Sequence, residues 1–250
     1  MEKEIGWLLK EKYGGVETPG FQKDIERLKG GEPLAYVIGF VDFLGCKIDL
    51  SKRPLIPRPE TEFWVEQAIS QTSPVSRGRR KQTTRVLDIF AGSGCVGVSI
   101  MRHIKNARVV FAEKDKKLIS QIKLNCKNNG IPAAKYKVIQ SDIFENVKGK
   151  FDYIFANPPY IPSGKRKTMQ LSVKKYEPHA ALFGGDDGLF YIKKFLAHAN
   201  GFLKPGGKIY LEFDSTQKLQ IEKILKKLPY KTWQFHKDQY SRWRWIVIES

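Results

Sequence analysis

The sequence predicts an α/β fold built on a doubly wound, mostly parallel sheet, and three observations carry that reading. From Arg85 onward, short β-branched runs alternate with helical patterns in repeated strand–turn–helix units, which place helices on both faces of a parallel sheet. The first of these strands runs directly into a glycine turn, Gly92-Ser93-Gly94, at the edge where open sheets hold ligands. Finally, seven strand-like segments share residues 85–250 with no internal repeat or low-complexity stretch.

In chain order, residues 1–31 hold two short helical patterns. The first is Ile5, Leu8, Leu9, broken by Gly14-Gly15; the second is Phe21 to Leu28, which follows Pro19 and stops at Gly30-Gly31. Two short helices enclose no core, so this is a helical appendage. Residues 32–69 contain an alternating, β-branched stretch from Tyr36 to Leu50, expected as a β-hairpin, and a helix from Glu60 to Ile69 beyond Pro54, Pro57 and Pro59. Residues 70–84, with Arg77, Arg79, Arg80 and Lys81, have no apolar period and read as a basic linker.

Within 85–250, strands are expected at 85–90, 109–112, 136–139, 151–155, 208–213, 232–236 and 243–248. Helices are expected at 96–104, 118–128, 190–199 and 217–228. A long loop separates the fourth strand from the third of these helices.

Composition narrows the class. A chain of 250 residues, 41% hydrophobic and 28% charged, is globular. Apolar runs such as Ile246-Val247-Ile248 are far too short to cross a bilayer, and no apolar core follows Met1-Glu2-Lys3-Glu4 to make a signal peptide. Three cysteines, Cys46, Cys95 and Cys126, show no paired metal spacing. A secreted scaffold, a membrane protein and a zinc module are therefore excluded, and a cytoplasmic monomer without metal is expected. Charge is the unusual feature: 44 Lys and Arg against 26 Asp and Glu give +18, a field that favours anionic partners.

The glycine turn reads Asp88-Ile89-Phe90-Ala91-Gly92-Ser93-Gly94-Cys95-Val96-Gly97. Gly92 and Gly94 let the backbone approach a ligand, and Gly97 permits close helix–strand packing. Glu113 ends the second strand, 19 residues past Gly94, where an acid can bond both hydroxyls of a ribose. No Gly-Lys-Ser/Thr and no third glycine at dinucleotide spacing are present. Asp88 beside the turn repels a pyrophosphate and suits a cation. An adenosine bearing a sulfonium and an ammonium fits these features: S-adenosylmethionine.

The fourth strand ends in Asn157-Pro158-Pro159-Tyr160. The prolines stiffen the turn and withdraw local amide donors, so the Asn157 side-chain carbonyl and the Pro158 carbonyl can accept both hydrogens of a planar NH2 group. Tyr160 offers a flat face for that group to stack on. Such a nitrogen is a poor nucleophile, and two acceptors favour its developing sp3 character by positioning and electrostatics. Asp142 closes the third strand; it reads equally well as an acceptor for an adenine amine, with Ile143 against the ring, or as a helix cap.

These residues resemble the HemK/PrmC-type release factor N5-glutamine methyltransferases. The resemblance includes Glu32-Pro33-Leu34-Ala35-Tyr36-Val37-Ile38-Gly39 with Phe43, and Leu55-Ile56-Pro57-Arg58-Pro59-Glu60-Thr61-Glu62. It continues through Tyr176-Glu177-Pro178, Gly184-Gly185, Asp187-Gly188-Leu189, Leu203-Lys204-Pro205-Gly206-Gly207, Leu211-Glu212 and Gln217. It implies a class I S-adenosylmethionine-dependent methyltransferase fold, a Rossmann-like seven-stranded sheet. The implied activity is methyl transfer to the Gly-Gly-Gln glutamine of a peptide chain release factor. Implied cofactor contacts are Phe90, Ala91, Gly92, Ser93, Gly94, Glu113, Ile143 and Asn157, to which the reading of the residues themselves adds Asp88 and Asp142. The implied catalytic residues are Asn157, Pro158 and Tyr160, with Pro159 and Arg58 as further substrate contacts. Departures are Phe90 and Asp214, where glycine is common, and a helical appendage shorter than the family's usual domain.

His103, His179 and His198 have no ligand-spaced partner and read as solvated or core residues. Cys95 fills a small-residue slot at a helix start, where a thiol can have a lowered pKa, but packing accounts for it well enough. Trp233, Phe235, Trp243 and Trp245 alternate on two strands as sheet core. Lys165-Arg166-Lys167 and Lys174-Lys175 are a solvated loop or a rim for an anionic partner. The competing function is an RNA methyltransferase acting on an exocyclic base amine, suggested by +18 and the Phe90 turn. A catalytically dead binding module is disfavoured by the presence of Glu113 and the Asn-Pro-Pro-Tyr motif.

Overall fold

A computed structural model describes residues 1–72 and 83–250. The basic run Arg77 to Lys81 lies outside the described residues.

The appendage is α1 (Glu2–Tyr13), α2 (Pro19–Lys29) and α3 (Leu34–Ile38). Thr18 caps α2 by accepting from Phe21 N, and Gly14 ends α1 in the left-handed region. Tyr36-Val37-Ile38 is helical, not part of the expected hairpin. Pro33 O accepts from Tyr36 N at 2.9 Å and Val37 N at 3.1 Å, and Gly39 at φ 97° stops the turn. Burial decides it: Val37 joins Leu8, Phe21 and Leu28 in a small apolar core, which a strand at this point would leave open.

The hairpin itself is β1 (Phe40–Phe43) and β2 (Cys46–Asp49). After a proline-rich stretch, α4 runs from Pro59 to Thr72, three residues beyond the expected end. Proline at the first helical position costs nothing there.

The main sheet contains β3 (Thr84–Ile89), β4 (Ala107–Glu113), β5 (Tyr136–Gln140), β6 (Phe151–Ala156), β7 (Leu203–Glu212), β8 (Thr232–Lys237) and β9 (Trp243–Glu249), in the order β5-β4-β3-β6-β7-β9-β8. The first five strands are mutually parallel, and β9 runs antiparallel to both β7 and β8. This is the expected seven-stranded sheet. Its helices are α5 (Cys95–His103), α6 (Lys116–Asn128), α7 (Leu171–Tyr176), α8 (Phe190–Ala199) and α9 (Lys218–Leu225). The long loop is thus not bare: α7 and short 3-10 turns at Ser163–Lys167 and His179–Ala181 occupy it.

One apolar layer packs α4, α5, α6 and the hairpin on one face of the sheet; the other packs α8 and α9 on the opposite face. Of the four aromatic residues assigned to sheet core, Trp245 is buried against Trp64 and Tyr210. Trp233, Phe235 and Trp243 are only half-buried: the first two lie on β8, the edge strand, and Trp243 at the start of β9. Among the described residues no helix is long and apolar enough to cross a membrane.

Candidate active site

The carboxyl edge of the parallel strands carries Phe90, Glu113, Asn157 and Glu212. The topology reverses between β3 and β6, since β4 and β5 lie to one side of β3 and β6 and β7 to the other. A crevice opens at such a point, and here it is a cavity of about 390 Å³ lined by Arg58, Thr61, Asp88, Phe90, Glu113 and Asn157 among others. That volume is in the range of small-molecule sites.

The turn after β3 is tight. Phe90, Gly92 and Gly94 all have positive φ, at 59°, 55° and 78°. Phe90 therefore occupies a conformation that favours glycine. Its ring is held against Tyr191 and Phe195, with centroids 5.9 and 6.3 Å away. Gly97 faces β4 so closely that a Cβ would strike the Phe111 ring and lie 2.9 Å from Val109 Cγ1.

Two carboxylates brace this turn. Asp88 accepts from Gly97 N at 2.9 Å, and burial pushes its pKa up to about 8. Glu113 accepts from Gly92 N and from Asp115 N, each at 2.8 Å and each through a different oxygen. Burial raises Glu113 as well. Each Glu113 oxygen keeps a second lone pair for a ligand.

After β6, the Asn157 side chain donates through Nδ2 to Thr61 Oγ1 at 3.3 Å. Thr61 donates in turn to Glu212 Oε2 at 2.7 Å, which also receives Trp64 Nε1 at 2.6 Å. The Tyr160 hydroxyl donates to Glu212 Oε1 at 3.0 Å. Among the described residues no donor reaches Asn157 Oδ1 or the Pro158 carbonyl. Two acceptors one residue apart are thus open.

The segment after the motif folds back over it. Ile161 N donates to Leu182 O, Gly184 N to Ile161 O, and Gln217 Nε2 to Tyr160 O at 2.9 Å. Gly188, at φ 71°, lies so close that a Cβ would collide with Tyr160 O. Glu177, 4% exposed, ties this flap to the proline-rich stretch by accepting from Ile56 N and from Arg58 Nη2.

Of the site residues read from the sequence, the cavity wall brings together Arg58, Asp88, Phe90, Ala91, Gly92, Ser93, Glu113, Asp142, Ile143, Asn157 and Pro159. Gly94, Pro158 and Tyr160 flank these residues in sequence without lining the cavity themselves, and Tyr160 turns its hydroxyl to Glu212. Three details bear on these readings. The Arg58 guanidinium is paired with Glu177 at 2.6 Å. Asp142 caps no helix; it pairs with Lys114 at 2.6 Å and is half exposed. Cys95 is buried, and its thiol is pushed up to about 12, not lowered. No group of three or more His, Cys, Asp or Glu among the described residues is placed to hold a metal.

Glu212 and Thr61 are quoted from the sequence only within motifs of the resemblance, and neither is assigned a chemical role there. Glu212 ends β7, next to the strand that delivers Asn157, so the carboxyl-edge rule that marked Glu113 applied to it equally.

The chain is 32% identical over 249 residues to the release factor glutamine methyltransferase of Lactococcus lactis subsp. lactis, covering 98% of this chain and 88% of that protein. It belongs to the release factor glutamine methyltransferase family. The Methyltransferase small domain family matches residues 75–175. A bifunctional methyltransferase of Rickettsia felis is 31% identical, matching 99% of this chain, which spans only 52% of that relative's length. Among solved structures, a methyltransferase from Pyrococcus furiosus superposes with a TM-score of 0.57 at 21% identity, covering 91% of this chain and 96% of the other; at that identity the likeness shows the fold. As a family member, this chain places its Glu113 and its Asn-Pro-Pro-Tyr segment at the ends of β4 and β6, the two strands that flank β3 in a class I methyltransferase sheet.

Proposed function

We propose that this protein transfers a methyl group from S-adenosylmethionine to the side-chain amide nitrogen of the Gly-Gly-Gln glutamine in a peptide chain release factor. The observation that carries it is the pair of open acceptors, Asn157 Oδ1 and Pro158 O, beside a cavity with acids suited to a cationic nucleoside.

The residues present fit the cofactor. Glu113 has the lone pairs to hold a ribose diol, and Asp88 has a carboxyl whose ionisation a neighbouring cation favours. Phe90 and Ile143 supply apolar wall. When bound, S-adenosylmethionine supplies an electrophilic methyl group on sulfonium sulfur. Asn157 and Pro158 hold the two amide hydrogens of the substrate, which sets the nitrogen lone pair toward the cavity and stabilises positive charge growing on that nitrogen. Tyr160, held protonated by burial and by the Glu212 charge, presents a fixed ring face. The flap from Ile161 to Gly188 limits water around the amide.

Incubation with labelled cofactor and either a release factor or ribosomal RNA tests the reading. Label on the release factor that is lost on changing its glutamine, and lost at least about a hundredfold in Asn157→Ala, supports it. Label on RNA alone would replace it with the base-amine reading. The cofactor affinity of Asn157→Ala should stay within about tenfold of the parent, because the lost acceptor faces the substrate.

A further inference from the structure

We infer that Thr61 and Glu212 are positioning residues that set which end of the Asn157 amide faces the substrate. The inference rests on the proposed role of Asn157 as an acceptor for the substrate amide. Two ends of a carboxamide have almost the same shape, and one accepts while the other donates. Turned the wrong way, Asn157 would present a donor to the two hydrogens of the substrate amide, and binding would become repulsion. Something must fix its direction.

The fixing group has to be one whose own polarity is not free. Thr61 alone does not qualify, since a hydroxyl donates or accepts as required. Glu212 removes that freedom. It receives three donors, Thr61 Oγ1 and Trp64 Nε1 on one oxygen and Tyr160 OH on the other; burial raises its pKa, but these donors and the Arg244 charge favour the ionised form, and an ionised carboxylate only accepts. Thr61 must therefore spend its proton on Glu212, which leaves only lone pairs facing Asn157. Asn157 must then turn Nδ2 toward Thr61, as observed at 3.3 Å, and Oδ1 is left for the substrate. The same carboxylate pins the Tyr160 ring by its hydroxyl.

The anchor is rigid. Glu212 is 1% exposed and Thr61 2% exposed. The Trp64 ring that holds Oε2 is stacked between Phe155 and Trp245, with centroids 6.1 and 6.2 Å away. Residues 61, 157 and 212 come from α4, the end of β6 and the end of β7, so three separate elements converge on one polarity chain. Small misalignments at such positions are costly to rate while leaving cofactor contacts intact.

The test uses the full-length protein with Thr61→Val, Thr61→Ser and Glu212→Gln. Valine keeps the shape of threonine without the hydroxyl, and Glu212→Gln places an amide donor where only an acceptor stood. Thr61→Val should lower kcat for release-factor methylation at least about tenfold, with cofactor affinity by calorimetry changed less than about threefold. Thr61→Ser should restore kcat. In parallel, the 15N-labelled side-chain NH2 pair of Asn157 should shift in Thr61→Val and return in Thr61→Ser, a readout that needs no substrate. If Thr61→Val keeps more than half of kcat, or the Asn157 pair does not move, the inference fails. An Asn157 pair that responds as expected in a protein that methylates no release factor would uphold the positioning chain and refute the substrate. Should Glu212→Gln fail to fold, the Thr61 pair still decides.

Discussion

Asn125 takes the place of a neighbouring strand for Asp49: its Oδ1 accepts Asp49 N at 2.8 Å and its Nδ2 donates to Asp49 O at 3.2 Å. Gln121 and Asn129, one turn away on either side of α6, treat Lys52 N and the Lys47 backbone in the same way. The open edge of the hairpin is thereby satisfied by a row of amide side chains at i, i+4 and i+8, which share one helix face. Asn125 also donates to Ser93 O at 2.9 Å, so the row reaches the glycine turn. Replacing the fully buried Asn125 with leucine strands three backbone groups, at about 1–3 kcal/mol each. Urea unfolding should show a loss of about 3 kcal/mol or more. Cofactor affinity should fall with it through Ser93, whereas Asn129→Leu, at the exposed end, should leave affinity unchanged.

Phe90 gives a test of backbone strain. An L-residue in the left-handed region costs about 1–2 kcal/mol, and φ at Phe90 is 59°. Truncation to alanine loses the ring packing and keeps the strain; truncation to glycine loses the packing and relieves it. Glycine is ordinarily the less stabilising of the two, so the order should invert. Phe90→Gly should be more stable than Phe90→Ala by about 1 kcal/mol, read from denaturant midpoints. The opposite order would show that the turn is unstrained.

The strand and helix periods of residues 85–250 were legible in the sequence because each element buries one face, and burial imposes its period. Tyr36-Val37-Ile38 misled because aromatic and β-branched residues signal a half-buried surface more than a strand. The contact that settles them, Val37 with Leu8 and Phe21, is not local. Glu113 and Asn157 could be found because each ends a strand within a local motif. Thr61, Asn157 and Glu212 are brought together only by the sheet order, across separations of 96 and 151 residues. Nothing in the spacing of Gln121, Asn125 and Asn129 announces what they face, since a polar helix stripe usually faces water.

Asp88 makes stability depend on pH in a defined direction. Its folded pKa is raised from the ordinary 3.8 to about 8, so the native protein holds a proton that the unfolded chain releases. Its contribution is fully present below pH 3.8 and is lost as pH rises through about 8. The ligand-free protein should lose stability across that window, and Asp88→Asn, which can still accept from Gly97 N, should flatten the curve. Glu113 and Glu212 are shifted in the same direction, so a residual slope should remain in the variant. A bound cation favours the ionised form, so cofactor binding near neutral pH should expel a proton. Calorimetry in buffers of different ionisation enthalpy measures that proton, and its absence in Asp88→Asn would assign it.

The paired Arg58 and Glu177 separate a structural from a substrate role. Arg58 Nη2 lies 2.6 Å from Glu177 Oε1, and Ile56 N donates to Oε2 at 3.2 Å. Removing the carboxylate leaves a buried amide and a half-buried guanidinium without their acceptor, at a cost of about 2–4 kcal/mol. Glu177→Ala should therefore lower the melting temperature by several degrees. Arg58→Met keeps the aliphatic packing and should cost less. If Arg58 contacts substrate as well, Arg58→Met will raise KM for the release factor while Glu177→Gln does not.

The final prediction concerns the basic turn Ser163–Lys167, which begins three residues past Tyr160. Its cations are exposed and only loosely engaged: Lys165 Nζ is 3.9 Å from Asp214, and Arg166 Nη2 is 3.5 Å from His179 Nδ1. Lys174 and Lys175 follow on α7, on the same flap. Exposed charges of this kind act over about 8–10 Å at physiological salt, and they raise encounter rates more than they strengthen the docked complex. Methylation of a release factor should therefore lose efficiency as salt rises from about 50 to about 300 mM, as the screening length shrinks, through KM and not kcat. Exchanging Lys165, Arg166 and Lys167 for glutamine should flatten that dependence, because the motif beneath is held by Gly184, Gly188 and Gln217 and not by these cations. A KM indifferent to salt would reduce the turn to solvated surface. A triple variant that lost kcat instead would mean that the turn shapes the site it borders.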